Sequence, residues 1–130
     1  SHGYTLLDQH IRTGDYQPQT GYDAMQDLLT TAPDIQAVYC MNDMMAVGAL
    51  AYLNQHGIRV PDDIAVVGYD DIRVSPFLTP PLTTVRAPEI PLGEAAGKLL
   101  LQLINGKTPD EAQLYLPTQL IIRQSCGYSL

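Results

Sequence analysis

The 130-residue chain has no tryptophan, one phenylalanine and two cysteines, and sets seven lysines and arginines against fourteen aspartates and glutamates. Each scarcity removes a class of function. The net charge is −7 and nowhere do basic residues cluster in a run. A surface of that sign repels phosphates, so the chain itself is not expected to grip DNA or RNA. Cys40 and Cys126 lie far apart, with no paired-cysteine motif and no cysteine–histidine cluster. That argues against a disulfide framework and for a reducing compartment, with Cys40 read as a buried thiol in an apolar strand. No apolar run approaches the about 20 residues that a membrane span needs. The longest, around Leu99–Ile104, contains Gln102 and stops at Asn105-Gly106. The opening Ser1-His2-Gly3-Tyr4 lacks the basic-then-apolar pattern of a secretory leader, so a cytoplasmic chain is expected. Nucleophile-elbow, phosphate-loop and dinucleotide-glycine motifs are missing too, and His10 and His56 have no partner at metal-ligand spacing. No catalytic role, metal or cofactor is expected.

Hydrophobic residues at 45% and charged residues at 16% fit a folded domain with a real core. An extended segment is expected from about His10 to Tyr16. Thr20, with Asp23 three residues on, then offers a capping box for a helix whose inner face is Tyr22, Met25, Leu28 and Leu29. Ala32-Pro33 stops it. Ala37–Cys40 reads as a short buried strand. Asn42-Asp43 follows as a cap for a second helix, with Ala46, Val47, Leu50 and Leu53 inward and Gly57 as its left-handed stop. Ile64–Gly68 and Leu82–Val85 are further strands, and Pro91 to Ile104 reads as a long helix with Pro91 in its first turn. The stretch from Gln113 to Arg123 is rich in strand formers and bends at Pro117. Helices alternating with short apolar strands imply an α/β layer fold with a largely parallel sheet. In such sheets ligands sit beyond the carboxyl ends of the strands. The polar residues there are Asp15 and Tyr16, Asn42 and Asp43, and Asp70 and Asp71, which places a candidate site on one edge.

Four segments carry a more specific signal: AVYCMNDMMAVGAL (37–50), HGIRVPDDIAVVGYDD (56–71), PFLTPPLTTVRAP (76–88) and LPTQLIIRQS (116–125). In this order and spacing the chain resembles the effector-binding core of the lac and purine repressor family of bacterial transcription regulators, from Gly3 to Ser125. The resemblance implies a three-layer α/β/α lobe of periplasmic-binding-protein type, here incomplete. Residues 1–87 correspond to the second lobe without its first strand and helix. Residues 88–112 correspond to a crossing helix segment that belongs with the first lobe, and 113–130 to returning strands and a C-terminal tail. A helix-turn-helix head, through which alone DNA would be bound, has no counterpart in this sequence. The implied function is effector sensing by a repressor, in which a small molecule biases lobe closure. The alternative is a periplasmic sugar-binding protein of a transport system.

The resemblance also singles out residues. Tyr16, in Thr13-Gly14-Asp15-Tyr16, matches an aromatic that stacks on the effector. Asn42 matches a position that hydrogen-bonds effector hydroxyls, with Asp43 left to cap the helix. Asp70 matches a cleft carboxylate that accepts from vicinal hydroxyls or a ring N–H. Asn42 with Asp70 favours a sugar over a purine or nucleoside. Homodimer contacts are expected at Met44, Val47, Pro76, Phe77 and Leu78, an apolar set beyond what one inward stripe requires, although Phe77 would equally serve as a core plug. Leu92, Ala96, Leu99 and Leu103 form a second apolar stripe whose cover is not in this sequence.

Overall fold

The computed structural model describes residues 5–108 and 113–128. The ends of the expected crossing segment and of the C-terminal tail, at 112 and 130, lie outside the described residues. In chain order the regular elements are α1 (Pro18–Thr31), β1 (Ala37–Tyr39), α2 (Asp43–Gln55), β2 (Ala65–Tyr69), β3 (Thr83–Arg86), α3 (Glu89–Ile104) and β4 (Gln119–Ile121). The strands form one sheet in the order β1-β2-β3-β4. β1 and β3 flank β2 in parallel, with Val38 opposite Val66 and Gly68 opposite Thr84, and β4 runs antiparallel to β3. The fold is the α/β arrangement with a mostly parallel sheet that the alternating pattern implies.

α2 lies on β2 and α1 lies on α2. The core they enclose contains Met25, Leu28, Ala46, Leu50, Leu53, Ile64, Val66 and Leu82. Two glycines allow the helices to meet backbone to backbone. A Cβ at Gly48 would stand 1.8 Å from the Pro18 carbonyl oxygen, and one at Gly21 would stand 2.1 Å from that of Met45. Gly57 takes the left-handed conformation at φ 69° and closes α2. Along β2, Val66 and Gly68 are buried while Ala65, Val67 and Tyr69 are half-buried, so the lobe is well covered on one face and thinly on the other.

Several local expectations need correction. A 3-10 turn at Asp8–His10 takes the first residue of the expected extended segment, and Ile11 directly after it is extended, at φ −113° and ψ 133°. Thr20 does not begin α1; the cap position is Gln17 and Pro18 takes the first helical place, where its missing N–H costs nothing. Asp15 does the work instead, accepting from the Gln17 N–H (3.0 Å) and the Thr20 hydroxyl (2.7 Å). Those bonds hold its carboxyl below the ordinary range. Of the four residues expected as a buried strand, only Cys40 is buried; β1 is an edge strand of the described sheet, with Ala37 and Tyr39 exposed and Val38 half-covered, because little packs on its faces. A groove of about 680 Å³ runs beside it, lined by Ile11, Met25, Leu28, Val38 and Val67 among others. α3 buries none of its residues, so its stripe of leucines faces outward.

Candidate functional site

Because β1 and β2 are parallel neighbours, the segments that leave their carboxyl ends emerge side by side. This edge carries Asn42 and Asp43 after β1, and Asp70 and Asp71 after β2. The backbone here is unusual. Tyr16, Asp70 and Asp71 all have positive φ, at 69°, 113° and 56°. Non-glycine residues adopt that region at a cost and hold it only where the surroundings enforce it.

Tyr16 is enforced by Asn42. The Asn42 amide donates through Nδ2 to the Tyr16 carbonyl (3.1 Å), while its Oδ1 accepts from the Met45 N–H (2.9 Å) and caps α2. Asn42 is 9% exposed and Tyr16 is 67% exposed. The tyrosine ring is therefore presented to solvent at the edge on a backbone fixed by Asn42. The cap expected of Asp43 is made by its neighbour. Asn42 is the cap, and Asp43 turns inward.

Asp43 is fully buried and its carboxylate is saturated. Oδ1 accepts from the Thr84 hydroxyl (2.6 Å); Oδ2 accepts from the Ser75 hydroxyl (2.6 Å) and the Ile72 N–H (3.0 Å). Gly68 makes room for it, since a Cβ there would lie 2.2 Å from Asp43 Oδ1. Sequence reading passed over this residue as a cap. The available signal was a glycine in the neighbouring strand facing an acid at the start of the helix above it.

Asp71 is also saturated. Arg86 Nε and Arg123 Nη2 donate to its two oxygens at 2.7 and 2.5 Å, and its side chain is nearly buried. Burial works to raise its carboxyl, but the two guanidinium groups outweigh burial and hold it below the ordinary range. This ties the end of β2 to the end of β3 and to the segment after β4.

Asp70 differs from both. Its N–H donates to the Val85 carbonyl (2.9 Å), but among the described residues its carboxylate accepts no hydrogen bond. It is half-buried, and burial together with the nearby Asp43 and Glu89 charges raises its carboxyl above the ordinary range. Tyr39, exposed at the same end of the sheet, is pushed up by burial and by Tyr69, Asp70 and Cys40. Of three aspartates beneath one edge, two are used up by the fold and one is left free.

The five residues assigned to a dimer contact divide by burial. Met44, Pro76 and Phe77 are exposed, Phe77 by 81%, while Val47 and Leu78 are half-buried. Phe77 is no core plug. The Asp43–Ser75 bond brings the start of α2 beside the Ser75–Phe77 turn, which puts Met44 and Phe77 on neighbouring segments.

A mostly parallel sheet with polar residues gathered beyond the carboxyl ends of its strands is the arrangement at which α/β lobes take ligands. Residues 1–126 match the periplasmic binding protein-like domain. The chain belongs to that family, among the effector-binding domains of the lac and purine repressor type. It is 41% identical over 118 residues to the HTH-type transcriptional repressor PurR of Salmonella arizonae, an alignment that covers 91% of this chain and 35% of the relative. Among solved structures, the transcriptional regulator CelR–cellobiose complex superposes with a TM-score of 0.89 at 39% identity, over 95% of this chain and 38% of that one. The lac repressor dimer bound to operator and the anti-inducer ONPF gives 0.79 at 36% identity, over 87% and 39%. The chain thus spans little more than a third of the proteins it matches.

Proposed function

We propose that this chain is the effector-sensing and dimerisation portion of a cytoplasmic bacterial repressor, and that its carboxyl edge contributes half of a sugar site. The carrying observation is the contrast among the aspartates. Asp43 and Asp71 have every oxygen engaged, while Asp70 stands half-buried, free and on strained backbone. A free carboxylate accepts from two adjacent hydroxyls, and an exposed tyrosine offers a face for a sugar ring. Asn42 contributes by fixing Tyr16, with one amide hydrogen remaining for a hydroxyl. The CelR structure holds cellobiose, which supports a sugar over a purine or nucleoside. The repressor relatives favour regulation over transport.

In this reading residues 88–112 belong with the first lobe, which accounts for an α3 that buries nothing against its own lobe. Effector binding shifts the lobe-closure equilibrium, and a helix-turn-helix head elsewhere in the protein responds. Met44, Val47, Pro76, Phe77 and Leu78 face a second copy. The test is a thermal-shift screen of cellobiose, lactose and nucleobases on the complete regulator, since a ligand of the native state raises its stability. A sugar is expected to raise the melting temperature. Asp70→Asn is expected to weaken that sugar about 10- to 100-fold, the worth of a charged hydrogen bond. A response to nucleobases alone overturns the sugar assignment, and unchanged affinity removes Asp70 from the site.

A further inference from the structure

Asp43 lies directly beneath the proposed effector edge but does not face it. Its two oxygens gather donors from three separate places: the Ile72 N–H in the loop after β2, the Ser75 hydroxyl in the following turn, and the Thr84 hydroxyl on β3. The Thr84 oxygen in turn accepts from the Asp71 N–H (3.3 Å). A relay therefore runs from Asp71 N–H through the Thr84 hydroxyl to Asp43 Oδ1, while Ile72 N–H reaches Oδ2 directly. The two amides that follow Asp70 are both anchored, one at second hand, on a single buried carboxylate.

Those amides belong to the stretch that carries positive φ at Asp70 and Asp71. Left to itself, such backbone relaxes, and the Asp70 carboxylate would move with it. Asx residues elsewhere cap their own turns, but the Asp70 side chain makes no such bond among the described residues. The restraint comes from outside: Val85 holds the Asp70 N–H and two arginines hold the Asp71 side chain, while Asp43 holds the two amides that follow Asp70.

We propose that Asp43 is the positioning residue of the effector site, holding the Asp70–Ile72 backbone in its strained form so that the Asp70 carboxylate is aimed at ligand. The proposal rests on the effector reading of Asp70 for its functional half and on hydrogen bonding alone for its structural half. It is distinct from a direct contact, since Asp43 is fully buried and its oxygens are already satisfied. An acid here is specific: an asparagine loses the charge that strengthens all three bonds, and its amide must face either the Ile72 N–H, which cannot reverse, or the Thr84 hydroxyl, which then gives up its donation.

The experiment is residue-resolved amide hydrogen exchange on the full 130-residue chain and on its Asp43→Asn and Thr84→Val variants. In Asp43→Asn, Asp71 and Ile72 are expected to exchange at least about tenfold faster while Val66 and Val67 in β2 keep their protection. Thr84→Val, which cuts only the relay, is expected to release Asp71 and spare Ile72. A uniform loss across the sheet in both variants, or no change at Asp71 and Ile72, overturns the proposal. If Asp43→Asn fails to fold, the Asp71-against-Ile72 split in Thr84→Val decides alone. A second arm uses cellobiose as probe on the complete regulator carrying Asp43→Asn, Asp70→Asn or both. If Asp43 acts through Asp70, each single change weakens binding and the double change is no worse than Asp70→Asn. Additive losses overturn the positioning role. Equal binding by wild type and Asp70→Asn, or none by either, overturns the sugar reading of Asp70 instead, and the exchange pattern still decides whether Asp43 holds the loop.

Discussion

Burial, with Asp43 and Glu89 behind it, raises the Asp70 carboxyl, whereas at Asp71 burial is outweighed by Arg123 and Arg86, so that neighbouring residues titrate in opposite directions. The stability consequences are opposite in sign. A carboxyl lowered in the fold contributes stability that is present above its unfolded value near 3.8 and is lost as pH falls through the folded value. A carboxyl raised in the fold contributes stability that is complete below 3.8 and is lost as pH rises through the folded value. Asp70→Asn is therefore expected to raise the melting temperature at pH 7, with the gain closing as the medium is taken below about pH 4. Asparagine also tolerates positive φ, so the exchange adds no backbone penalty. Asp71→Asn is expected to lower the melting temperature at pH 7, and that deficit too closes in acid. Thermal melts of the two variants from pH 3 to pH 8 separate the cases; a destabilised Asp70→Asn at neutral pH removes the argument. Residues kept for binding often cost stability, and under the proposed function Asp70 is one of them. Cys40 supplies a third titration: burial, with the Asp43 charge, pushes its thiol up to about 12, so native chain is expected to resist alkylation there at pH 8.

Helices α1 and α2 meet at Gly21 and Gly48, where backbone atoms of the opposing helix occupy the space a Cβ would need. Gly48→Ala must push Pro18 and Tyr22 aside, and is expected to destabilise by about 3 kcal/mol, the upper range for overpacking. Gly57→Ala has open space around it and suffers only from φ 69°, so its cost is expected to be smaller, about 1 kcal/mol. Denaturant melts that rank the two in the opposite order would contradict the close-approach account. The elements themselves were legible from spacing: the edges of β2, β3, α2 and α3 fall within two residues of the expected ones, because apolar periodicity and the Asn42, Gly57 and Asn105 boundaries are local signals. What stayed illegible is what depends on distant partners. Thr20 looked like a cap until Asp15, five residues back, claimed its hydroxyl. Asp43 looked like a cap because its partners, Ser75 and Thr84, are 32 and 41 residues away. β1 reads as buried from Ala-Val-Tyr-Cys, yet its exposure is set by what packs on the faces of the sheet there, and that is no property of the strand. Tyr16 and Asp70 were reachable only through the family resemblance and the carboxyl-edge rule, since a solvent-facing tyrosine and a turn aspartate carry no pattern of their own.

At the scale of the molecule, the apolar area left uncovered is the dominant unresolved force. α3 exposes Ile90, Leu92, Leu100, Leu101, Leu103 and Ile104, each by more than half of its surface. The exposed Met44 and Phe77 lie on separate segments of the lobe. At about 25 cal/mol per Å², even partial burial of six such side chains is worth several kcal/mol, far more than a few surface charges oppose. The net charge of −7 gives some mutual repulsion, but salt at physiological strength screens it beyond about 8 Å. The 130-residue chain by itself is therefore expected to self-associate at micromolar concentration, through α3 in preference to Met44 and Phe77, because α3 offers a continuous helical stripe and the other patch is short. Light scattering checks the first part and substitution checks the second. Leu92→Glu with Leu103→Glu is expected to return the chain to monomer, with far-ultraviolet circular dichroism little changed because neither side chain is buried in the core. Phe77→Glu is expected to leave the association through α3 intact; under the proposed function it acts only on the dimer of the complete regulator, where a first lobe would cover the α3 stripe and leave the Met44–Phe77 face as the apolar surface. A stable monomer of the unmodified chain, with α3 ordered and solvated, defeats the hydrophobic argument; association that survives the α3 double substitution but not Phe77→Glu reverses the order of the two faces.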